Sequence, residues 1–184
     1  MKKIKLLKKP KKNNSFKWLN RHLNDEYVKK SKKEGFRSRS SYKLIQINEK
    51  FKFLKKSQLI LDLGCSPGGW LQVVKMNAPE GSMILGVDKL HLEEIEGVSF
   101  LRKDIFEKIT LTEVDNFFRN KKIDLILSDM SPNSTGNKSI DHLRIISLVE
   151  KVVEFSRHLL KVDGYLVSKI FQGGAQGQLI GEMK

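Results

Sequence analysis

The chain has 184 residues, 39% of them hydrophobic, one cysteine and a formal net charge of +14 at pH 7. That length suits one domain with a sizeable core. The single cysteine, Cys65, excludes an internal disulfide and fits a reducing compartment, and the chain has no apolar run of about 18 residues that would suggest a membrane partner.

The charge is concentrated at the start. Residues 1–43 carry 16 Lys and Arg against three acids, and the remainder is nearly neutral. Residues 1–14 read as a basic disordered arm. They lack the apolar stretch of a signal peptide, so a cytoplasmic location is expected, or a mitochondrial one for a eukaryotic source. Basic residues interleaved with Phe16, Trp18, Tyr27, Phe36 and Tyr42 make a footprint for a phosphate backbone. The same aromatics would also pack the arm onto the domain that follows.

Residues 15–184 read as that domain, opening with a helical extension over 15–50. Phe16, Leu19, Leu23 and Tyr27 recur at helical spacing and predict a helix over Ser15–Lys33. A polar turn follows from Gly35, then a helix over Ser40–Asn48. Strands are expected at Leu59–Leu63, Met83–Val87, Val98–Leu101, Ile123–Ser128 and Gly164–Lys169, with helices at Gly69–Met76, Leu111–Asn120, His142–Leu159 and from Gln176. Short apolar strands alternating with helices predict an α/β fold with a doubly wound, mostly parallel sheet.

Three segments carry chemistry. Leu61–Trp70 reads L-D-L-G-C-S-P-G-G-W, a strand running into a glycine-rich turn and then a helix. Such a turn brings bare backbone N–H groups and a helix N-terminus close to a ligand. Asp62, Gly64, Gly68, Gly69 and Trp70 lie in or beside it. The spacing is neither the G-x-G-x-x-G of a dinucleotide fold nor a phosphate-gripping loop, which argues against an NAD-dependent oxidoreductase. Asp88 ends the second strand, where an acid accepts ribose hydroxyls, and Asp104 follows the third, where it can bond an adenine amino group. Each acid alone would also serve as a turn or helix cap. The second segment, Ser128-Asp129-Met130-Ser131-Pro132, closes the fourth strand and brings Asp129 to the same crevice. The third is Lys169, at the end of the fifth strand, which neighbours the fourth in this topology. Cys65 reads as a small buried residue. The histidines His22, His91, His142 and His158 show no ligand spacing, so no metal is expected.

The P-G-G-W turn resembles motif I of the S-adenosylmethionine-dependent methyltransferases, in the form found in the FtsJ/RrmJ-type RNA ribose methyltransferases. The likeness extends from about Trp18 to Lys184 through W-L-x-R-x-L-N-D-x-Y, R-S-R-x-x-Y-K-L (Arg37–Leu44), L-S-D-M-S-P-N and K-I-F-Q-G-G. The stretch Thr135–Arg144 is similar to the α-proteobacterial branch. The resemblance implies a Rossmann-like methyltransferase domain using S-adenosylmethionine, with Gly64, Gly68, Gly69, Trp70, Asp88, Asp104 and Asp129 at the cofactor. It implies catalytic roles for Lys43, Asp129 and Lys169, three members of a Lys-Asp-Lys-Glu tetrad; nothing in the residue pattern alone singles out Lys43. Such domains finish with a helix and a β-hairpin after the fifth strand. The sequence stops within that helix, so the hairpin and its glutamate are expected to be missing and the fifth strand to form an edge.

The implied function is 2′-O-methylation of a uridine ribose in large-subunit (23S-type) ribosomal RNA during ribosome assembly, by a monomer acting on RNA within the large ribosomal subunit. A hydroxyl attacks a sulfonium methyl only once a base takes its proton, and Lys169 is the expected base. A lysine serves as a base at neutral pH only where burial or a like charge disfavours its ammonium form; otherwise alignment and electrostatics must carry the rate. A cap-type mRNA 2′-O-methyltransferase, or a catalytically silent RNA-binding assembly factor on the same fold, are the competing readings.

Overall fold

In the computed structural model, residues 24–132 and 135–170 are described. The helix expected over Ser15–Lys33 is interrupted at Asp25. This residue has extended backbone (φ −68°, ψ 124°), and its carboxylate accepts hydrogen bonds from the backbone N–H groups of Tyr27 and Val28. Asp25 therefore caps a new helix, α1 (Glu26–Glu34), rather than continuing an old one. Residues 15–23 lie outside the described part, as does the helix expected from Gln176. Helix α2 spans Ser41–Phe51, followed by a short 3₁₀ turn, Leu54–Lys56, that had no counterpart among the expected elements.

The rest alternates. Strand β1 (Leu59–Leu63) leads into α3 (Gly69–Asn77), then β2 (Met83–Asp88), β3 (Ser99–Arg102), α4 (Lys108–Phe117), β4 (Ile123–Ser128), α5 (Lys138–Leu159) and β5 (Leu160–Ser168). Several boundaries differ from expectation by a few residues, two of them for evident local reasons. Helix α4 stops before Asn120 because Arg119 and Asn120 both take left-handed backbone (φ 56° and 57°). Strand β5 starts at Leu160, not Gly164, because Leu160 already pairs with Ile123 before an irregularity in the ladder. The polar Lys161–Asp163 stretch disguised that pairing.

All described pairings are parallel, in the order β3-β2-β1-β4-β5. The central strands bury both faces. Ile60, Leu125 and Leu127 pack with Leu44, Leu54, Leu71 and Val74 under α2 and α3. Leu61, Leu63, Val87 and Ile126 pack with Val114, Phe118, Val152 and Phe155 under α4 and α5. Each such side chain contributes about 1.5–3 kcal/mol on burial, which is why these strands read as unbroken apolar runs. The connections leave β1 toward β2 on one side, and β4 lies on the other. The crevice at the carboxyl ends of β1 and β4 is thus the switch point where ligands bind in open α/β sheets.

Candidate active site

A cleft of about 700 Å³ opens at that switch point, and Asp88, Asp104 and Asp129 line it together with Gly64, Ser66 and Met130. Its size suits a drug-sized ligand. Asp88, at the end of β2, is held by two backbone donors: Ser66 N–H to Oδ2 (2.9 Å) and Leu90 N–H to Oδ1 (2.8 Å). Asp104, after β3, accepts from the Phe106 N–H (3.0 Å). Leu90 and Phe106 add exposed apolar surface to the same wall. Gly64 has no side chain because the Met130 side chain occupies the place its Cβ would take.

The glycine-rich turn has two sides. Gly64 and Ser66 face the cleft, whereas Gly68, Gly69 and Trp70 are not among its lining residues and instead meet the segment before α2. The Trp70 indole N–H donates to the Ser40 carbonyl (2.9 Å), and a Cβ on Gly69 would lie 2.2 Å from the Ser38 hydroxyl oxygen. Cys65 is buried, and burial, then the charges of Asp62 and Asp88, push its thiol pKa up.

Asp62 lies beneath the turn, 1% exposed, and its Oδ2 has no hydrogen-bond partner among the described residues. Burial first, then the negative charges of Asp129 and Asp88, hold its carboxyl well above the ordinary carboxylate range. Sequence reading placed Asp62 beside the turn but not its burial; the signal was an acid inside the apolar run L-I-L-D-L.

At the far end of the cleft, β4 and β5 place Ser128 opposite Ser168, so the next residue of each strand, Asp129 and Lys169, stands side by side. Lys169 Nζ lies 2.9 Å from Asp129 Oδ1 and donates to the Asp129 carbonyl (2.8 Å). Lys43, in the first turn of α2, reaches the same carboxylate at 3.3 and 3.4 Å. Three residues far apart in sequence thus form one Lys-Asp-Lys cluster. Lys43 is half-exposed on the side of the basic segment, and Lys169 is the more enclosed of the two lysines.

The residues present fit S-adenosylmethionine. The acids after β2 and β3 match an adenosine, the apolar wall matches its ring, and the Asp129 carboxylate, which lines the same cleft, meets its cationic end. Among the described residues no group of His, Cys, Asp and Glu is arranged to hold a metal, and no helix is long and apolar enough to cross a membrane.

The chain is similar to known proteins in sequence and fold. A ribosomal RNA large subunit methyltransferase E from Bartonella bacilliformis is 46% identical over 173 residues, covering 92% of this chain and 72% of the relative. The protein of the same name from the Wolbachia of Brugia malayi is 46% identical over 176 residues, 96% of this chain and 79% of the relative. A crystal structure of a ribosomal RNA methyltransferase from Plasmodium falciparum superposes with a TM-score of 0.71 at 34% identity, over 78% of this chain and 83% of that one. Residues 36–184 match the model of the FtsJ-like methyltransferases, and the chain belongs to that family.

Proposed function

We propose that the protein transfers a methyl group from S-adenosylmethionine to the 2′-hydroxyl of a uridine ribose in large-subunit ribosomal RNA, acting as a cytoplasmic monomer on the large ribosomal subunit. The Lys43–Asp129–Lys169 cluster at the far end of the acid-lined cleft is the observation that carries this reading. The relatives named as large-subunit RNA methyltransferases favour ribosomal RNA over capped mRNA. The assembled cluster favours an enzyme over a silent assembly factor.

When bound, S-adenosylmethionine supplies an electrophilic methyl group. Asp88 would hold its ribose hydroxyls and Asp104 its adenine amino group; Leu90 and Phe106 would shield the ring from water. Lys169 takes the proton of the 2′-hydroxyl. Asp129 offers the Lys169 amine two acceptors, the carboxylate and the main-chain carbonyl, which fix its direction beside the cleft. Lys43, half-exposed on the side of the basic segment, stands where the RNA arrives.

The test supplies the full-length enzyme with tritiated S-adenosylmethionine and large subunits from a strain lacking the activity, then maps the label. One uridine 2′-O-methyl group is expected. Lys169→Ala should lower the rate by roughly 10²–10⁴-fold, the usual worth of a general base, while calorimetry shows cofactor binding little changed. Asp129→Ala should lose activity and some cofactor affinity. Tighter binding of NAD than of S-adenosylmethionine would refute the methyltransferase reading, and near-normal turnover by Lys169→Ala would remove lysine as the base.

A further inference from the structure

Arg37 sits behind the glycine-rich turn, where three parts of the fold meet. Its guanidinium donates to three main-chain carbonyls: Glu93 (2.7 Å) and Glu94 (2.8 Å) in the loop between β2 and β3, and Pro67 (3.4 Å) in the turn itself. Its backbone N–H donates to Gln72 Oε1 on α3 (2.8 Å), and the Gln72 amide returns a bond to the Gly35 carbonyl (3.0 Å). Gly68, with φ +104°, leaves the room: a Cβ there would lie 3.0 Å from the guanidinium and 2.9 Å from the Leu92 side chain.

The partners of these contacts reach both halves of the active site. The loop that Arg37 grips follows Asp88 directly, and its near end is tied to the turn by the Ser66 hydroxyl, which donates to the His91 carbonyl (3.1 Å). On the other side, the residues after Arg37 dock on the same turn. The Ser41 hydroxyl donates to the Gly69 carbonyl (3.0 Å), and the Ser40 carbonyl accepts the Trp70 indole N–H. Helix α2 starts there, and its first turn carries Lys43 to Asp129.

We propose that Arg37 is a positioning residue that couples the cofactor side of the site to the RNA side: it fixes the loop that follows Asp88 and, through the turn, the placement of Lys43. It is not an RNA phosphate contact, although it lies in the basic segment. This inference rests on the cofactor reading above. A guanidinium presents five N–H donors in a rigid planar fork, and here that fork is directed at main-chain carbonyls. Arg39, two residues on, differs: it is more than half exposed and pairs with Asp25. A lysine at position 37 keeps the charge and loses the fork.

The experiment compares Arg37→Lys, Arg37→Ala and Gly69→Ala in the full chain, with and without Lys43→Ala. Wild-type binding of S-adenosylmethionine is measured first; its failure would refute the proposed function, before any variant is read. Coupling between sites is commonly worth 5–150-fold, so both Arg37 variants should weaken cofactor binding by about tenfold in the absence of RNA. Gly69→Ala, which alters no charge, should do the same from the opposite side of the turn. The salt dependence of RNA binding should be unchanged in all three. Turnover should fall about tenfold in Arg37→Lys with Lys43 present but less than about twofold in the Lys43→Ala background, since residues acting through one another are not additive. Unchanged cofactor affinity with a salt slope lower by about one in Arg37→Ala would make Arg37 a phosphate contact and overturn the proposal. Equal losses of turnover in both backgrounds would overturn it too, by showing a structural role with no route through Lys43.

Discussion

One carboxyl oxygen of Asp62 is buried without a partner among the described residues, and leaving a buried polar group unsatisfied costs about 1–3 kcal/mol. Its carboxyl is raised above its unfolded value by burial and by Asp129 and Asp88. The folded state therefore holds the proton more tightly than the unfolded state. The resulting stability is complete below the unfolded carboxylate pKa of about 3.9 and is lost as pH rises through the folded value. Asp62→Asn should thus be more stable than the parent at about pH 8, by an amount that shrinks toward pH 4. Thermal unfolding across pH checks this. A stability difference independent of pH would mean that the carboxyl is not its source. Residues differ in how far their pattern betrays them. Asp129 and Lys169 were legible because strand ends face the crevice. Lys43 needed the family likeness. Arg37 gave no signal of its role, because its partners are main-chain carbonyls that any sequence supplies.

Elements were legible where apolar runs carried them. Strands β1 and β4 begin and end where the sequence places them, since both bury two faces. The edges were harder: a side-chain hydrogen-bond cap at Asp25 starts α1 at Glu26, and a pairing through Leu160 lengthens β5. A polar tie also holds the strand starts together. Asp124 on β4 accepts from the N–H groups of Gln58 and Leu59 ahead of and in β1 (2.7 and 2.9 Å), and pairs with Lys161 on β5 at 2.6 Å. Burial alone would raise its pKa; the Lys161 bond, then the two backbone donors, outweigh that and lower it. The tie therefore stabilises above the unfolded carboxylate range and is lost as pH falls through the depressed folded value. Asp124→Asn should cost about 1–3 kcal/mol in urea unfolding at neutral pH, and the difference should close in acid. A variant as stable as the parent at neutral pH would show that the three strand starts are held by packing alone.

Over the whole molecule, the basic excess lies in residues 1–43 and the remainder is almost neutral. Deleting residues 1–14 should weaken RNA binding at low salt and flatten its salt dependence, because fewer counterions are released; an unchanged slope would show that those lysines touch no phosphate. Residues 24–43 call for point changes instead, since α1 packs on α2 through the Tyr27–Tyr42 rings and the Tyr42–Glu34 hydrogen bond, and the Arg37–Ser41 segment docks on the domain. The cluster that would perform the chemistry is gathered from separations of 86 and 40 residues. A parallel sheet with β1 at its centre keeps an open edge until β4 arrives, and β5 can dock only after that. During synthesis from the N-terminus, the basic segment, the turn and Asp88 emerge well before the reacting amine can be set in place. The acid that would meet the ribose is thus laid down early in the protein's making, and the groups that would carry the chemistry come last.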